Sequence, residues 1–350
     1  SRRQRQMCIR DRCDLSIGTP VDPTPQVVQD ALAAGADSHG YPTTAGTPQL
    51  REAIADWYSR SRRVDVAPDA ILPTIGSKEL VAWLPTLLGL KELGLGVAGP
   101  ALAYPTYRMG AMIAGVDFRV LDAHDVAEGA SLDGVGLLWI NSPANPTGRV
   151  LDEVTLRKVV EATRKAGVVV ASDECYALLN WEAEAPSILD PAVAGEDHTG
   201  LLSVYSLSKQ SNLAGYRAAF VAGDQSLIAD LTNTRKHAGM IVPGPVQTAM
   251  IAALGDSGHV EAQKEMYRAR RDALKPALEA WGMTIDHSEA GLYLWCTRGE
   301  DCWETLSGLA ELGILAGPGI IYGEAGAQYV RVALTGSDET IRTAAERLSS

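Results

Sequence analysis

The stretch Val204-Tyr205-Ser206-Leu207-Ser208-Lys209-Gln210-Ser211-Asn212-Leu213-Ala214-Gly215-Tyr216-Arg217 decides how the chain is read. The apolar run 201–205 reads as a strand that delivers this segment to a sheet edge. Ser206 and Ser208 sit beside Lys209, and Arg217 follows eight residues later. Lysine forms Schiff bases with carbonyl compounds, and a nearby cation helps keep its amine neutral and nucleophilic. The two hydroxyls and Arg217 suit a phosphate dianion. An aldehyde that also carries a phosphate is pyridoxal phosphate (PLP), which needs a Schiff-base lysine and an acidic partner for its pyridine nitrogen. A solvated surface lysine is the competing reading of the same residues. The rest of the chain decides between the two.

Working back towards the N-terminus, the run of valines at 168–172 reads as a strand with Asp173 at its end and Tyr176 three residues on. A carboxylate directly after a buried strand is costly unless it has a partner. Asp173 is therefore either a helix cap or the partner of a pyridinium nitrogen. Residues 136–140 read as another buried strand, followed by Asn141-Ser142-Pro143-Ala144-Asn145-Pro146-Thr147-Gly148. Two X-Pro bonds and a glycine make a rigid turn that fixes Asn145. The strand 70–75 leads into Gly76-Ser77-Lys78-Glu79 and an apolar helix over 80–88. Strand, glycine turn and helix N-terminus is a geometry that binds phosphate through free backbone N–H groups. No Walker pattern is present. Tyr104 and Tyr107 lie in a loop with Pro100 and Pro105, where a tyrosine can stack on a planar ring or pack as a loop residue. A short strand is predicted over 117–121.

Helices are predicted over 26–34, stopping at Gly35, and over 152–165, stopping at Gly167. Thr47-Pro48 offers an N-cap and an N1 proline ahead of the stripe Leu50, Ile54, Trp57 and Tyr58. Strand and helix alternate from about residue 70 to 222, which implies a mostly parallel sheet covered on both faces. Ser77, Asn145, Asp173 and the segment Ser206 to Lys209 all follow the carboxyl ends of strands, where open α/β sheets bind ligands. Beyond Val242 the pattern changes. Helices are expected over 245–254 and 260–281, the second interrupted by Pro276, with strands over 283–285, 291–296 and 328–334 of a smaller α+β unit. Arg331 sits within the last of these, where an arginine is either ion-paired or a fork for a substrate carboxylate.

Composition narrows the class. The chain has 350 residues, 46% of them hydrophobic and 21% charged, as in ordinary globular proteins. The formal charge of -12 argues against nucleic acid as a partner. No apolar run is long enough to span a bilayer. Cys8, Cys13, Cys175, Cys296 and Cys302 show neither a disulfide framework nor metal spacing, so no metal and a reducing, cytoplasmic setting are expected. Residues 1–12 hold five arginines and one acid without an apolar core, unlike a secretory signal. They read as a disordered basic tail or as a segment foreign to the domain.

From about Asp14 onward the chain resembles a fold-type I, PLP-dependent aminotransferase of the class I/II family. The resemblance rests on Gly76-Ser77-Lys78-Glu79, Tyr104-Pro105, Asn145-Pro146-Thr147-Gly148, Asp173 with Tyr176, Ser206-x-Ser208-Lys209 with Arg217, and Tyr329-Val330-Arg331, in that order. It implies a large domain with a mostly parallel seven-stranded sheet and a smaller α+β domain. The divisions are 1–13 for the tail, 14–38 with 256–350 for the small domain, and 39–255 for the PLP domain. It implies that Lys209 holds PLP and shuttles a proton, and that Asp173 keeps the pyridine nitrogen protonated. Asn145 and Tyr176 would bond the ring's phenolic oxygen, and Tyr104 would stack on the ring. The backbone of Ser77 and Lys78, with Ser206, Ser208 and Arg217, would hold the phosphate. Arg331 would grip the substrate carboxylate, lined by Gly18 and Asn145. Tyr41 resembles the tyrosine that reaches the partner subunit's phosphate, which implies a homodimer with shared sites.

At finer grain, residues 40–48, 76–89 and 103–107 resemble the actinobacterial N-succinyldiaminopimelate aminotransferases of lysine biosynthesis. That resemblance implies a ping-pong exchange between N-succinyl-LL-2,6-diaminopimelate and 2-oxoglutarate. A tyrosine, not a tryptophan, at the ring-stacking position separates the chain from the aspartate-specific branch. Lys78 and Arg108 are the candidates for the distal acidic groups. The alternatives are an aspartate, aromatic or LL-diaminopimelate aminotransferase, a PLP carbon–sulfur lyase, or a non-catalytic sensor domain of the same fold. A sensor of this type carries a helix-turn-helix module, and none is recognisable in the sequence before Asp14.

Overall fold

The computed structural model describes residues 12–350. The basic tail expected at 1–12 thus lies outside the described residues, except for Arg12. Cys13 is not part of a tail: Cys13–Asp14 pairs in parallel with Ile314–Leu315, and Cys13 is buried.

Seven strands follow in chain order: β1 (Ile71–Ile75), β2 (Gly96–Gly99), β3 (Phe118–Val120), β4 (Val135–Asn141), β5 (Val169–Asp173), β6 (Leu201–Ser206) and β7 (Ala218–Gly223). They form one sheet in the order β1-β7-β6-β5-β4-β2-β3. Only β7 runs against its neighbours. The central strands β4, β5, β6 and β7 are buried almost throughout, which is why they read as continuous apolar runs and do not alternate. Pro73 is tolerated because β1 is an edge strand.

Helices cover both faces. On one side lie Ser77–Leu87 and Thr106–Ala114, packed on Leu72, Val97, Trp139 and Val221. On the other lie Pro48–Arg62, Glu153–Ala166 and Gly244–Gly255, packed around Tyr205 and Phe220. The capping chemistry matches the sequence. The Thr47 hydroxyl accepts the Leu50 N–H, the Asp152 carboxylate accepts the Thr155 N–H, and Gly167 ends its helix in the left-handed region.

A second sheet has four strands: β8 (Thr284–Asp286), β9 (Tyr293–Thr297), β10 (Gly317–Pro318) and β11 (Tyr329–Ala333), in the order β10-β11-β9-β8. It sits over a separate hydrophobic cluster that includes Leu15, Tyr267, Leu294 and Val332. Residues 14–38 do not act as one piece. Leu15 packs in this second cluster, whereas Val28 of the helix Gln26–Ala34 packs against the large-sheet core. The helix Gly258–Ala280 is continuous through Pro276, contrary to the expected interruption. Pro276 removes one backbone donor, but the buried Leu274, Ala277 and Leu278 hold the turns on either side in register. Among the described residues no helix is long and apolar enough to cross a membrane, and Cys13, Cys175, Cys296 and Cys302 are unbridged.

Candidate active site

The carboxyl ends of β4, β5 and β6 open into a cavity of about 630 Å³. Gly18, Ser77, Lys78, Tyr104, Asn145, Asp173, Tyr176, Ser206, Ser208, Lys209, Arg217 and Arg331 all line it. Strand ends explain the convergence: parallel strands that stop at one edge present their following residues to the same crevice. Two expected residues are elsewhere. Tyr41 is fully exposed and outside the cavity. The Arg108 guanidinium lies over the Phe118 ring, 4.8 Å from its centroid, and is not among the lining residues.

Asp173 forms the buried floor. Its carboxylate accepts the Tyr107 hydroxyl at 2.8 Å and the Cys175 N–H at 3.3 Å. Both donors are neutral, and burial pushes the carboxyl above its ordinary value. Asn141 fixes the strand end by donating to the Asp173 carbonyl at 2.8 Å. The Asn141 side-chain Oδ1 accepts the Asn145 N–H at 2.7 Å, which pins the turn that carries Asn145.

Lys209 lies in the four-residue helix Leu207–Gln210 directly after β6. Its amine donates to the Gly18 carbonyl. Burial lowers its pKa, and the charges of Arg331 and Arg217 add to that effect. A lysine of this kind holds a larger neutral fraction than a surface lysine, as a nucleophile requires.

One end of the cavity is built for an anion. The helix Ser77–Leu87 starts there without a side-chain cap, so its first N–H groups are open. Ser206 donates to the Ser208 hydroxyl at 2.9 Å beside it. Gly76 has φ of 72°, and its N–H donates to the Arg217 carbonyl at 2.8 Å. A Cβ at Gly76 would come within 2.2 Å of the Arg217 guanidinium. Glycine is therefore needed for both backbone conformation and space.

The opposite end is built for a carboxylate. Arg331 donates to the Asn145 side-chain oxygen at 3.1 Å and to the Ser16 carbonyl at 2.9 Å. Its guanidinium lies 3.9 Å from the Tyr293 ring centroid and 5.0 Å from that of Tyr322. Among the described residues its buried Nε has no hydrogen-bond partner. The Tyr176 and Tyr293 hydroxyls are 3.3 Å apart. Burial raises Tyr176, and burial takes Tyr322 up to about 12 despite the Arg331 charge.

Tyr107, Tyr293 and Tyr322 were not singled out as functional residues by the sequence. Tyr107 lies in the first turn of the helix Thr106–Ala114, three residues after Tyr104 in the preceding loop, and Tyr293 is on the strand that pairs with Arg331's strand. Those placements are the signals that would have found them.

These residues fit PLP. The buried carboxylate lacks a cation, which a protonated pyridine nitrogen would supply. The uncapped helix, two hydroxyls and Arg217 would take the phosphate. Lys209 lines the same cavity. Among the described residues no His, Cys, Asp and Glu cluster could hold a metal ion.

Comparison with known proteins agrees. The family described as "Aminotransferase class I and II" matches residues 10–348. The chain is 55% identical over 337 residues to "Probable aminotransferase Rv1178" of Mycobacterium tuberculosis, covering 96% of this chain and 80% of that protein. It is 52% identical over 336 residues to "4-dedimethylamino-4-oxo-anhydrotetracycline transaminase OxyQ" of Streptomyces rimosus, covering 96% and 92%. A crystal structure of an aminotransferase from Neisseria meningitidis superimposes with a TM-score of 0.88 at 30% identity, covering 99% and 95%. The architecture is that of the fold-type I enzymes. The chain belongs to the class I and II aminotransferase family, whose members depend on PLP.

Proposed function

We propose that this aminotransferase exchanges an amino group between N-succinyl-LL-2,6-diaminopimelate and 2-oxoglutarate. The observation that carries the reading is the placement of Arg331, Lys209 and the Ser77–Arg217 anion site along one cavity. The cavity also has a second cation at its rim. Lys78 is exposed, lies 5.7 Å from the Tyr104 ring centroid, and faces the same space. A distal carboxylate there would bind Lys78 while Arg331 holds the α-carboxylate. The segments 40–48, 76–89 and 103–107 support the choice of donor.

When bound, PLP supplies an electron-accepting ring and a carbonyl carbon that can carry the amino group. The chain's own residues do the rest. Arg331 and Asn145 orient the substrate so that its α-hydrogen faces Lys209. With PLP bound, Lys209 would remove that proton and return one at the far side of the shifted double bond, and its depressed pKa suits a group that both takes and gives a proton. Asp173 would hold the ring nitrogen protonated, with Tyr107 and the Cys175 N–H fixing its carboxylate. Asn145 and Tyr176 would bond the phenolic oxygen, and Tyr104 would stack on the ring. The family's enzymes work as homodimers. In the proposed dimer the exposed Tyr41 reaches the partner subunit's phosphate site.

A second reading rests on the Streptomyces relative, whose name describes amination of a ketone on a fused-ring compound. The absorbance of the cofactor-loaded enzyme separates the two. Addition of N-succinyl-LL-diaminopimelate without an oxo acid is expected to bleach the yellow band. A band that ignores this amine but bleaches with glutamate keeps the aminotransferase and rejects the proposed donor.

A further inference from the structure

A smaller cavity of about 230 Å³ lies beside the active site and has no part in the chemistry above. Asn141 lines both cavities. The second one is formed where β2, β3 and β4 end, so it shares the strand-end position at which α/β sheets bind ligands. Its walls combine three kinds of group.

The first is a pair of opposite charges that do not meet. Asp122 and Arg149 both line the cavity, and each lies within the other's field. No ion pair forms between them, and among the described residues the exposed Arg149 guanidinium has no hydrogen-bond partner. Burial and the neighbouring Asp125 push the Asp122 carboxyl up, while the Ala101 N–H that it accepts, Arg149 and His124 pull it down; the same carboxylate caps the short helix Ala123–Ala127. A cation placed against Asp122 would relieve that burial.

The second is a set of unmet nitrogens. Among the described residues the buried His124 Nε2 and Trp139 Nε1 have no hydrogen-bond partner, and both residues line the cavity. Buried polar atoms are almost always paired, so two orphans on one small cavity call for an acceptor or a donor from outside. His287 stands on the same wall with φ of 56°, in the left-handed region a non-glycine residue rarely occupies. The third is an apolar surface from Leu102, Ile140 and Leu151.

A bare anion would meet Asp122, and a bare cation would meet Arg149. A ligand carrying both charges meets neither objection. We propose that this cavity binds a free α-amino acid with an apolar side chain. Its carboxylate would lie on Arg149 with His124, its ammonium on Asp122, and its side chain on Leu102, Ile140 and Leu151. The site is distinct from the Lys209 cavity, so its occupant is an effector and not a substrate.

L-Leucine is the probe, and calorimetric titration of the cofactor-loaded enzyme is the measurement. Arg331→Ala removes the carboxylate anchor of the active cavity, and this variant is expected to keep one leucine site per chain. Adding Arg149→Ala is expected to weaken leucine at least about tenfold, the usual effect of losing one charge-assisted contact. 4-Methylpentanoate and isoamylamine, which carry one charge each, are expected to bind at least about tenfold more weakly than leucine. Unchanged leucine affinity after Arg149→Ala, or no leucine bound at millimolar concentration, overturns the site. The single variant Arg149→Ala tests the proposal without disturbing the active cavity. It is expected to lose the leucine event that leaves cofactor absorbance unchanged, with KM for the amine donor unmoved. Persistence of that event overturns the proposal.

Discussion

Tyr107 donates its hydroxyl to the buried Asp173 carboxylate at 2.8 Å while its ring stacks on Trp139, with centroids 4.9 Å apart and planes 13° apart. The stack leaves the ring little freedom, so the hydroxyl is aimed before any cofactor arrives. Tyr107→Phe keeps the stack and deletes the donor. Asp173 then retains the longer bond from the Cys175 N–H and the contact with the Cys175 thiol. The loss of a hydrogen bond to a charged group is worth about 1.5–3 kcal/mol, so PLP affinity is expected to fall roughly tenfold or more. Absorbance titration of the cofactor-free protein checks this, and a thermal melt within a few degrees of wild type shows that the fold is kept.

Asp173→Asn separates stability from function. Burial raises the Asp173 carboxyl, so between its ordinary and its raised value the folded cofactor-free chain binds more protons than the unfolded one. Stability therefore falls as pH rises through that interval, and the deficit persists at neutral pH. Replacing the acid by its neutral isostere removes the deficit. The cofactor-free variant is expected to melt above wild type at pH 7 and to lose that advantage below the ordinary carboxyl range. PLP retention and turnover should fall together, because the pyridine nitrogen loses its charged partner. Melting curves at several pH values, paired with PLP titrations, test both halves.

Much of this site was legible because the signals are local. A run such as Val168 to Ser172 can only be a buried strand, and the residue after it, Asp173, must then stand at a sheet edge. The same logic placed Asn145, Lys209 and Ser77. The contributions of Tyr107, Tyr293 and Tyr322 are tertiary. Tyr293 reaches Arg331 because β9 and β11 pair with Trp295 opposite Arg331, a register no local pattern reveals. Arg108 failed as a candidate for the distal acidic groups for a similar reason: Phe118, distant from it in local pattern, captures its guanidinium. Pro276 reads as a break from its chemistry alone, and the packed residues around it override that preference.

Lys209→Ala is expected to abolish turnover, since general acid–base catalysis by one residue contributes about 10²–10⁴-fold and the covalent anchor is lost as well. Its effect on the cofactor-free protein has the opposite sign. Burial lowers the Lys209 pKa, so between that lowered value and the ordinary lysine value the unfolded chain binds more protons than the folded one. Stability then rises with pH across the interval, and the penalty is largest below it. The variant should melt higher than wild type at neutral pH, and the difference should shrink as pH approaches the ordinary lysine value of about 10.4. Wild-type turnover in this variant would end the assignment of Lys209.

Arg331→Lys probes the carboxylate site. Arginine makes two bonds here from one planar group and lies against two tyrosine rings. Lysine keeps the charge but cannot reproduce the fork or the stacking. The expected result is a rise in KM for the amine donor of about 10–100-fold with a smaller change in kcat, the pattern of lost binding common to ground and transition states. Steady-state kinetics with glutamate as donor gives both constants. An unchanged KM would remove Arg331 from the substrate.

Gly76→Ala acts on the anion site through a neighbour. Gly76 has φ of 72°, and an added Cβ would sit 2.2 Å from the Arg217 Nη2. With ψ of 158° Gly76 lies in a region essentially reserved for glycine, which costs another residue about 1–3 kcal/mol, a loss that a chain of this size tolerates. The collision falls on the far end of a flexible side chain, so the Arg217 guanidinium gives way. Arg217 holds itself by donating to the Ala214 carbonyl at 2.7 Å, and it must swing away from both that bond and the cavity. PLP affinity is expected to fall at least about tenfold, as it would on losing one charge-assisted contact to a phosphate. Arg217→Ala alone should produce a loss of the same order, because both substitutions remove the same guanidinium. The double variant should then bind PLP about as weakly as either single one, a coupling that only residues in contact display. Equilibrium dialysis of the three proteins against PLP tests the cycle. Strictly additive losses would mean that Gly76 acts on the phosphate site independently of Arg217.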